Sequence, residues 1–379
     1  MNAKNWLHDA GIKKVVFLTV FLKLMALTVI AVGAIFLPFN SSNYFANFHY
    51  PTFQAPDFFT RFATWDAPHY LYLADFGYKP NLLSNAFFPL FPWLIRGVGF
   101  LFFGHHLLVG LVLSNLLTVL AMVFVYSVVR ELYDESVALK SCLLLLVFPT
   151  GFFLGLIYSD ALFLMLAAGL FYFEMKNYRW PFLLFAFLLP LSRAIGILVM
   201  AAVLFKILMD DDKGRFKKTG ELVLCSLLGL GFYFFVMEVM TGNPFSGFEA
   251  QSYYHMSKSI STLFHPLDWF MNNFVRIHLS FNQPFTGALD RICFLFYLAL
   301  AAVSWRLLPN HLWVYVLVVG LVSGLSGDLT SFMRYFIVLF PLFVTMAIRL
   351  KSYFWYVVGA CFIVQVLFVL LYSLNDWVA

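Results

Sequence analysis

Long apolar runs alternate with short polar connections along most of this chain. Most of the runs approach 20 residues, the length that an α-helix needs to cross a 30 Å hydrocarbon layer. Segments of about ten alternating residues, as in membrane β-barrels, are not visible. The pattern therefore predicts an all-α polytopic membrane protein with about eleven spans, at residues 15–37, 107–130, 137–157, 161–175, 180–190, 194–209, 222–240, 289–308, 312–326, 332–348 and 353–374.

Two predicted connections, residues 38–106 and 241–288, are much longer than the others. Loops longer than about 15 residues in a compact protein are usually functional or disordered, and the many aromatic residues here argue against disorder. Within the first loop, the apolar run at 86–103 contains two prolines and Arg96, so we expect a half-buried or interfacial element there. We expect one transmembrane domain over residues 1–379, with its working face at these two loops.

The basic residues predict the orientation of the spans. With the N-terminus inside, the inner positions hold 15 Lys and Arg residues and the outer positions hold eight, while Lys23 lies within the first span. Both long loops are then extracytoplasmic, and so is the C-terminus. The first apolar run is long and has no evident small-residue cleavage site, so we expect a retained helix rather than a signal peptide.

Composition narrows the function classes. The chain has 379 residues, of which 62% are hydrophobic and 11% charged, with a mean hydropathy of +0.86, whereas soluble domains carry about 25% charged residues. The net charge of +5 is spread over the loops, so nucleic acid is not an expected partner. The four cysteines show no metal-binding or disulfide spacing. Phosphate-binding loops, dinucleotide fingerprints and nucleophile elbows are missing from the sequence, so any activated sugar donor is expected to be lipid-borne.

The stretch TWDAPHY in the first long loop contains the first candidate site residues. Asp66 has the chemistry of a general base or of an acceptor for a sugar hydroxyl. It is equally suited to cap a helix that starts at Ala67-Pro68. His69 is a candidate for binding a phosphate or orienting Asp66, with simple interfacial packing as the alternative. Tyr70 is typical of a membrane interface and is a candidate for substrate binding.

Two arginines lie in apolar surroundings and need an anionic partner, because a guanidinium inside a membrane is costly unless it is paired. Arg193 lies between two short apolar runs, and its partner is either a phosphate or a carboxylate, Asp66 or Asp160. Arg334, followed by Tyr335, lies about one turn inside a predicted span and presents the same choice. Asp160 is placed at an outer turn, where it either serves the turn or joins an outer polar pocket.

These motifs resemble the PIG-V-like mannosyltransferases of the C-type glycosyltransferase superfamily. The resemblance extends from about residue 60 to 343 and rests on five motifs in family order: TWDAPHYLYLADFGY, NAFFPLFPWLIR, FPTGFFLGLIYSDALFL, LSRAIGIL and MRYFIVLFPLF. It implies an inverting transferase that uses a polyprenyl-phosphate sugar, mannose above all. It also implies that Asp66 is the catalytic carboxylate, and it maps the family's SR and RY pairs onto Ser192-Arg193 and Arg334-Tyr335.

The resemblance leads to further expectations about substrates and location. Eukaryotic members act on a glycosylphosphatidylinositol intermediate, but this short chain has no obvious retention signal. We therefore expect a bacterial relative with another lipid, glycan or protein acceptor, located in the cytoplasmic membrane, or in the endoplasmic reticulum if eukaryotic. Many superfamily members carry an Asp-x-Asp or Glu-x-Asp pair; here one acid stands in the motif, so no metal or cofactor is expected.

The predicted site therefore comprises Asp66 as the catalytic residue and a substrate-binding set: His69, Tyr70, Asp160, Arg193, Arg334 and Tyr335. The expected partners are the lipid-borne donor, the acceptor and membrane lipids. A rival hypothesis is a transporter or lipid scramblase, which should show internal repeats or broken helices in matching halves. A scaffold subunit with an inactive site is a third, and only activity separates it from the enzyme.

Overall fold

The computed structural model describes residues 9–52, 54–210, 214–253, 260–275 and 284–378. This part of the chain is helical and contains no strand. The α-helices are α1 (Ala10–Phe36), α2 (Ser41–Ala46), α3 (Ala67–Phe76), α4 (Leu90–Leu101), α5 (His106–Leu132), α6 (Glu135–Val147), α7 (Asp160–Met175), α8 (Arg179–Ser192), α9 (Gly196–Met209), α10 (Arg215–Thr241), α11 (Ser246–Tyr253), α12 (Pro266–Phe270), α13 (Pro284–Ser304), α14 (Asn310–Leu325), α15 (Phe332–Phe336), α16 (Phe340–Arg349) and α17 (Phe354–Ser373).

The predicted fold class, an all-α polytopic membrane protein, is confirmed. Each of the eleven predicted segments contains a helix, although the lengths differ. Among the described residues, five helices are long and apolar enough to cross a membrane: α1, α5, α10, the part of α13 from Gly287, and α17 with the turn that precedes it. Helices α4, α8, α9, α14 and α16 are apolar but shorter. Several apolar helices of this kind make an integral membrane protein.

Two of the predicted spans, 137–157 and 332–348, are not continuous helices, and the prediction is wrong there. Helix α6 ends at Val147, and Pro149 follows, which cannot donate a backbone hydrogen bond. A 3₁₀ turn, Gly151–Gly155, fills part of the gap before α7. The second break separates α15 from α16, which begins with Pro341 in its first turn. Both breaks place irregular backbone inside the bundle.

Polar side chains from surrounding spans complete the hydrogen bonding around the first break, residues 148–159. Backbone carbonyls at membrane depth need such partners, because lipid offers none. The donors are Lys23 to Gly151 (2.6 Å), Asn115 to Gly155 (2.9 Å), Thr118 to Leu154, and Gln365 to Leu146 (2.9 Å) and Phe148 (2.7 Å). These contacts also explain why a lysine lies within the first span.

The candidate residues lie at one end of the bundle. Successive helices joined by short turns alternate in direction, so the turns that carry these residues meet at the same end. The first long connection is fixed to this end by Arg61, whose guanidinium donates to the carbonyls of Gly33, Leu37 and Ser373. It thereby caps α1 and α17 together. Helices α2, α3 and α4 fold within this connection, so the first long loop is structured. Of the second, residues 254–259 and 276–283 lie outside the described residues.

Replacing Gly151 with alanine is expected to destabilise the protein by about 1–3 kcal/mol, in the range of overpacked sites. A Cβ there would lie 2.7 Å from the carbonyl oxygen of Leu145 and 2.8 Å from that of Leu146, and backbone cannot move aside as a flexible side chain can. The control is Gly231→Ala in α10, where a Cβ meets nothing within 4 Å. Thermal unfolding in detergent should separate the variants; equal melting temperatures would contradict the prediction.

Candidate functional site

Four charged side chains form a chain of alternating sign at the end of the bundle. Arg334 Nη1 lies 2.7 Å from Asp66 Oδ2, and Arg334 Nε lies 3.8 Å from Asp160 Oδ2. Arg193 Nη2 contacts that same Asp160 oxygen at 2.6 Å. The structure thus brings together Asp66, Asp160, Arg193 and Arg334, four of the seven predicted site residues. For both arginines it shows the carboxylate partner that sequence analysis left as one of two alternatives.

The cluster is buried except at Asp66. The side chain of Asp160 is fully buried and those of Arg193 and Arg334 are 10% and 7% exposed, while that of Asp66 is 23% exposed. Several buried polar atoms around the cluster have no hydrogen-bond partner among the described residues: Thr64 Oγ1, Trp65 Nε1, Asp160 Oδ1, Arg193 Nη1 and Arg334 Nε. Buried polar groups are normally satisfied. Two of these atoms, Arg193 Nη1 and Arg334 Nε, are arginine donors, and such donors are suited to the oxygens of an anionic ligand.

Aromatic rings surround Arg334. Its guanidinium carbon lies 5.1 Å from the ring centre of Tyr158 and 5.6 Å from that of Tyr335, with Phe153 and Trp377 at 5.8 and 5.9 Å. Tyr335 also faces Arg193, at 5.8 Å, so the ring lies between the two cations. Contacts of this kind stabilise a desolvated guanidinium and fix its plane.

The predicted helix cap at Asp66 is only partly present. Asp66 occupies the N-cap position of α3, but its backbone is helical (φ −75°, ψ −26°) and its side chain makes no capping hydrogen bond. The carboxylate points to Arg334 instead. Trp65, immediately before it, has φ +63°, a conformation that bulky residues rarely adopt and that is found at functional sites. The local structure thus favours the ion pair over the cap.

Hydroxyl groups hold the residues beside the charged cluster. Tyr70 donates to Ser159 Oγ (2.8 Å), and Arg193 Nε also donates to Ser159 Oγ (2.9 Å). Tyr158 donates to the carbonyl of Thr64 at 3.1 Å. Tyr70 therefore contacts the cluster through Ser159, a residue that sequence analysis did not place in the site.

His69 lies in an aromatic stack rather than as a cation facing an anion. Its ring stacks between Phe48 and Phe87, with centroid distances of 4.1 and 4.6 Å, and its Nδ1 lies 2.9 Å from Ser84 Oγ. Burial lowers the pKa of His69 to about 3, so the imidazole is uncharged at neutral pH. This geometry favours the packing alternative over the predicted phosphate contact.

A carboxylate outside the charged cluster supports the segment that carries Arg334. Asp290, which is buried, accepts hydrogen bonds from the backbone N–H groups of Ser331 (2.9 Å) and Met333 (2.8 Å) at the start of α15. An anion at a helix N-terminus is favourable. Asn273 accepts from the N–H of Leu329 at 2.9 Å. These contacts fix the approach of Arg334 to Asp66.

Sequence analysis missed several residues that build the site. Trp377 packs on Trp65 with a centroid distance of 5.0 Å, and Tyr372 accepts a hydrogen bond from the N–H of Thr64 at 3.4 Å. Lys23 and Gln365 are polar residues within apolar spans, and this contrast in the sequence could have identified them. Among the described residues, no group of three or more His, Cys, Asp and Glu side chains has a geometry able to hold a metal ion.

Comparisons with known proteins bear on the class. The family model for dolichyl-phosphate-mannose-protein mannosyltransferase matches residues 84–237. This segment includes Asp160 and Arg193 but not Asp66 or Arg334. No curated protein matches the chain. A solved structure, that of the Archaeoglobus fulgidus oligosaccharyltransferase in complex with zinc and sulfate, is similar at 14% identity with a TM-score of 0.45.

The alignment with that structure covers 93% of this chain and 53% of the archaeal one, so the chain spans about half its length. The matched family is one of mannosyltransferases, and its model covers 154 of the 379 residues of this chain, less than half. The class of enzyme, the sugar, the donor and the acceptor are matters of proposal.

Proposed function

We propose that this protein transfers mannose from a polyprenyl-phosphate donor to a hydroxyl group of a lipid, glycan or protein acceptor, with inversion, on the extracytoplasmic face. The observation that carries the proposal is the pair of buried arginines with unsatisfied N–H groups beside the partly exposed Asp66. Mannose and the phosphate-linked lipid come from the description of the matched family and from the PIG-V-like motifs. We further propose that this protein is a bacterial relative of the PIG-V-like mannosyltransferases and is located in the cytoplasmic membrane.

The proposed reaction uses three of the four charged residues directly. Asp66 accepts the proton of the acceptor hydroxyl while the hydroxyl oxygen attacks the anomeric carbon. The bond between that carbon and the phosphate oxygen breaks, and the electron pair leaves with the polyprenyl phosphate. Arg193 and Arg334 stabilise the charge that grows on the phosphate, and donors fixed before the reaction do this most effectively. Asp160 holds the two arginines beside each other and is a positioning residue.

The proposed site lies at helix ends, which bears on the rival hypothesis. Broken helices were expected of a transporter, and two are present. Transporters, however, bind substrate near the bilayer midplane between repeats. Here Asp160 begins α7, Arg193 directly follows α8, and Arg334 lies in the short helix α15. We propose that the ligand binds at these helix ends, within reach of an acceptor from the aqueous side.

The test is transfer by the purified protein in proteoliposomes. We expect label from polyprenyl-phosphate [³H]mannose to enter an acceptor supplied as membrane extract, and we expect no transfer when guanosine-diphosphate mannose is the donor. Protein-free vesicles are the control. Transfer from the nucleotide sugar alone would contradict the lipid-borne donor. Lipid or sugar movement across the vesicle membrane without transfer would support the transporter or scramblase instead.

A further inference from the structure

A cavity lies at the opposite end of α3 from Asp66. Its volume is about 770 Å³, and its lining includes Asp75, Trp93, Arg96, Phe100, Phe103 and His106. Asp66 and Asp75 are separated by nine residues, or about 13 Å along a helix axis. The cavity is therefore distinct from the charged cluster. It lies against the first residue of α5 and so at the boundary of a membrane-spanning helix.

Two oppositely charged side chains, Asp75 and Arg96, line this cavity. Asp75 is already engaged through both oxygens, since His106 Nδ1 lies 2.6 Å from Oδ1 and Tyr50 donates to Oδ2 at 2.7 Å. Arg96 is exposed, and no carboxylate lies within ion-pair distance of it among the described residues. The guanidinium of Arg96 is thus not held in an ion pair among the described residues, and its planar fork matches the oxygens of a phosphate.

The apolar wall of the cavity is unusual for a surface that faces water. Phe100 is 85% exposed and Phe103 is 96% exposed, and Trp93 lies beside Arg96 one turn earlier in α4. Exposed aromatic residues next to a basic residue are typical of the boundary between lipid and water. A bound molecule that matches both halves carries an anion and an alkyl chain.

Backbone geometry fixes the imidazole of this cavity. A Cβ on Gly99 would lie 2.3 Å from Cδ2 and 2.6 Å from Nε2 of His106, so only glycine at this position admits the ring in its observed place. The ring in turn occupies Asp75 Oδ1, so this oxygen is not available to Arg96. Three helices, α3, α4 and α5, therefore cooperate to keep the cation available.

We propose that this cavity binds the phosphate headgroup of a membrane lipid, at the same end of the bundle as the charged cluster. Arg96 holds two phosphate oxygens, and the alkyl chains lie along Phe100 and Phe103. The site is independent of the proposed transfer reaction and requires neither the donor nor the acceptor. Bound lipid would fill the space between α4 and α5.

The test is native mass spectrometry of the detergent-purified full chain, titrated with dioleoylphosphatidylglycerol. Dioleoylglycerol, which has the same chains without phosphate, and inorganic phosphate, which has no chains, are the matched probes. We expect Arg96→Gln to weaken binding of the phospholipid at least about tenfold, because a charge-assisted hydrogen-bond pair is lost. The control is Arg306→Gln, at an exposed arginine just beyond the C-terminal end of α13, and this variant should bind the phospholipid as tightly as wild type.

A second variant, Gly99→Ala, displaces His106 without removing any charge and should also weaken phospholipid binding. Equal affinity of wild type and Arg96→Gln, or an equal loss in Arg306→Gln, would overturn the proposal. If dioleoylglycerol bound as tightly as the phospholipid, the cavity would be an apolar groove that does not recognise phosphate, and the proposal would be wrong. Binding of inorganic phosphate alone at the same affinity would replace the lipid by a free anion.

Discussion

Asp66→Asn is expected to lower sugar transfer by about a hundredfold or more, in the range seen when a general base is lost. Asparagine keeps the size of the side chain and its hydrogen-bonding oxygen, but it cannot take up the proton of an acceptor hydroxyl. The side chain is 23% exposed and makes no capping bond to α3, and Arg334 would lose its contact with Asp66 but keep Asp160 at 3.8 Å. The loss of stability should therefore be smaller than for Arg334→Met, and the variant should insert and fold.

The measurement is the initial rate of label transfer from polyprenyl-phosphate mannose, with expression and melting temperature recorded in parallel. Asp57→Asn is the matched control, since Asp57 is an exposed carboxylate in the same loop that hydrogen-bonds only to local partners, the backbone N–H and hydroxyl of Thr60 among them. A well-folded Asp66→Asn variant with near-normal transfer would remove the proposed base and leave Asp66 with a structural role.

Arg334→Met is expected to destabilise the protein by about 3–5 kcal/mol, the usual cost of removing one partner of a buried ion pair. Two carboxylates lose their contact, Asp66 at 2.7 Å and Asp160 at 3.8 Å. Asp160 is fully buried, and it would keep only Arg193. Arg334→Lys retains the charge but not the fork that reaches both acids, so its loss of stability should be smaller while its transfer rate still falls.

A double variant separates an abandoned acid from lost packing. Adding Asp66→Asn to Arg334→Met removes the carboxylate that the single variant leaves without its cation, while Asp160 keeps its contact with Arg193 at 2.6 Å, so part of the lost stability should return. Thermal unfolding of the single and double variants in one detergent measures the coupling. Strictly additive losses would mean that Arg334 stabilises the fold through its aromatic neighbours rather than through the carboxylates.

The helices could be predicted from the sequence because each is an apolar run of the right length. The breaks could not be located so easily, although Pro149 and Pro341 stand at both of them. Apolar residues continue through each break, so the hydropathy pattern does not show where the helix stops. At the first break, the backbone carbonyls accept hydrogen bonds from Lys23, Asn115, Thr118 and Gln365, donors that are distant in sequence.

The chemistry of the site was predictable residue by residue, but the pairing was not. Arg193 and Arg334 were recognised because a guanidinium in an apolar run needs an anion. That Arg334 bonds Asp66, 268 positions away, while Arg193 bonds Asp160 follows only from the three-dimensional packing. Trp377 carried no signal of this kind, since a tryptophan beyond the last span is ordinary at a membrane interface.

The polar contacts of α17 have a consequence for the order in which the protein is made. Gln365 donates hydrogen bonds to the carbonyls of Leu146 and Phe148, and Tyr372 accepts one from the N–H of Thr64, close to Asp66 in the sequence. Synthesis delivers α17 after the spans that precede it in the sequence. A nascent chain that has inserted everything up to α16 already contains Asp66, Asp160, Arg193 and Arg334, but it lacks Gln365 and Tyr372, which contact the backbone of residues 146, 148 and 64. The surroundings of Asp66 are therefore completed only once α17 has entered the membrane, so we expect a chain that stops before α17 to lack the proposed transfer activity.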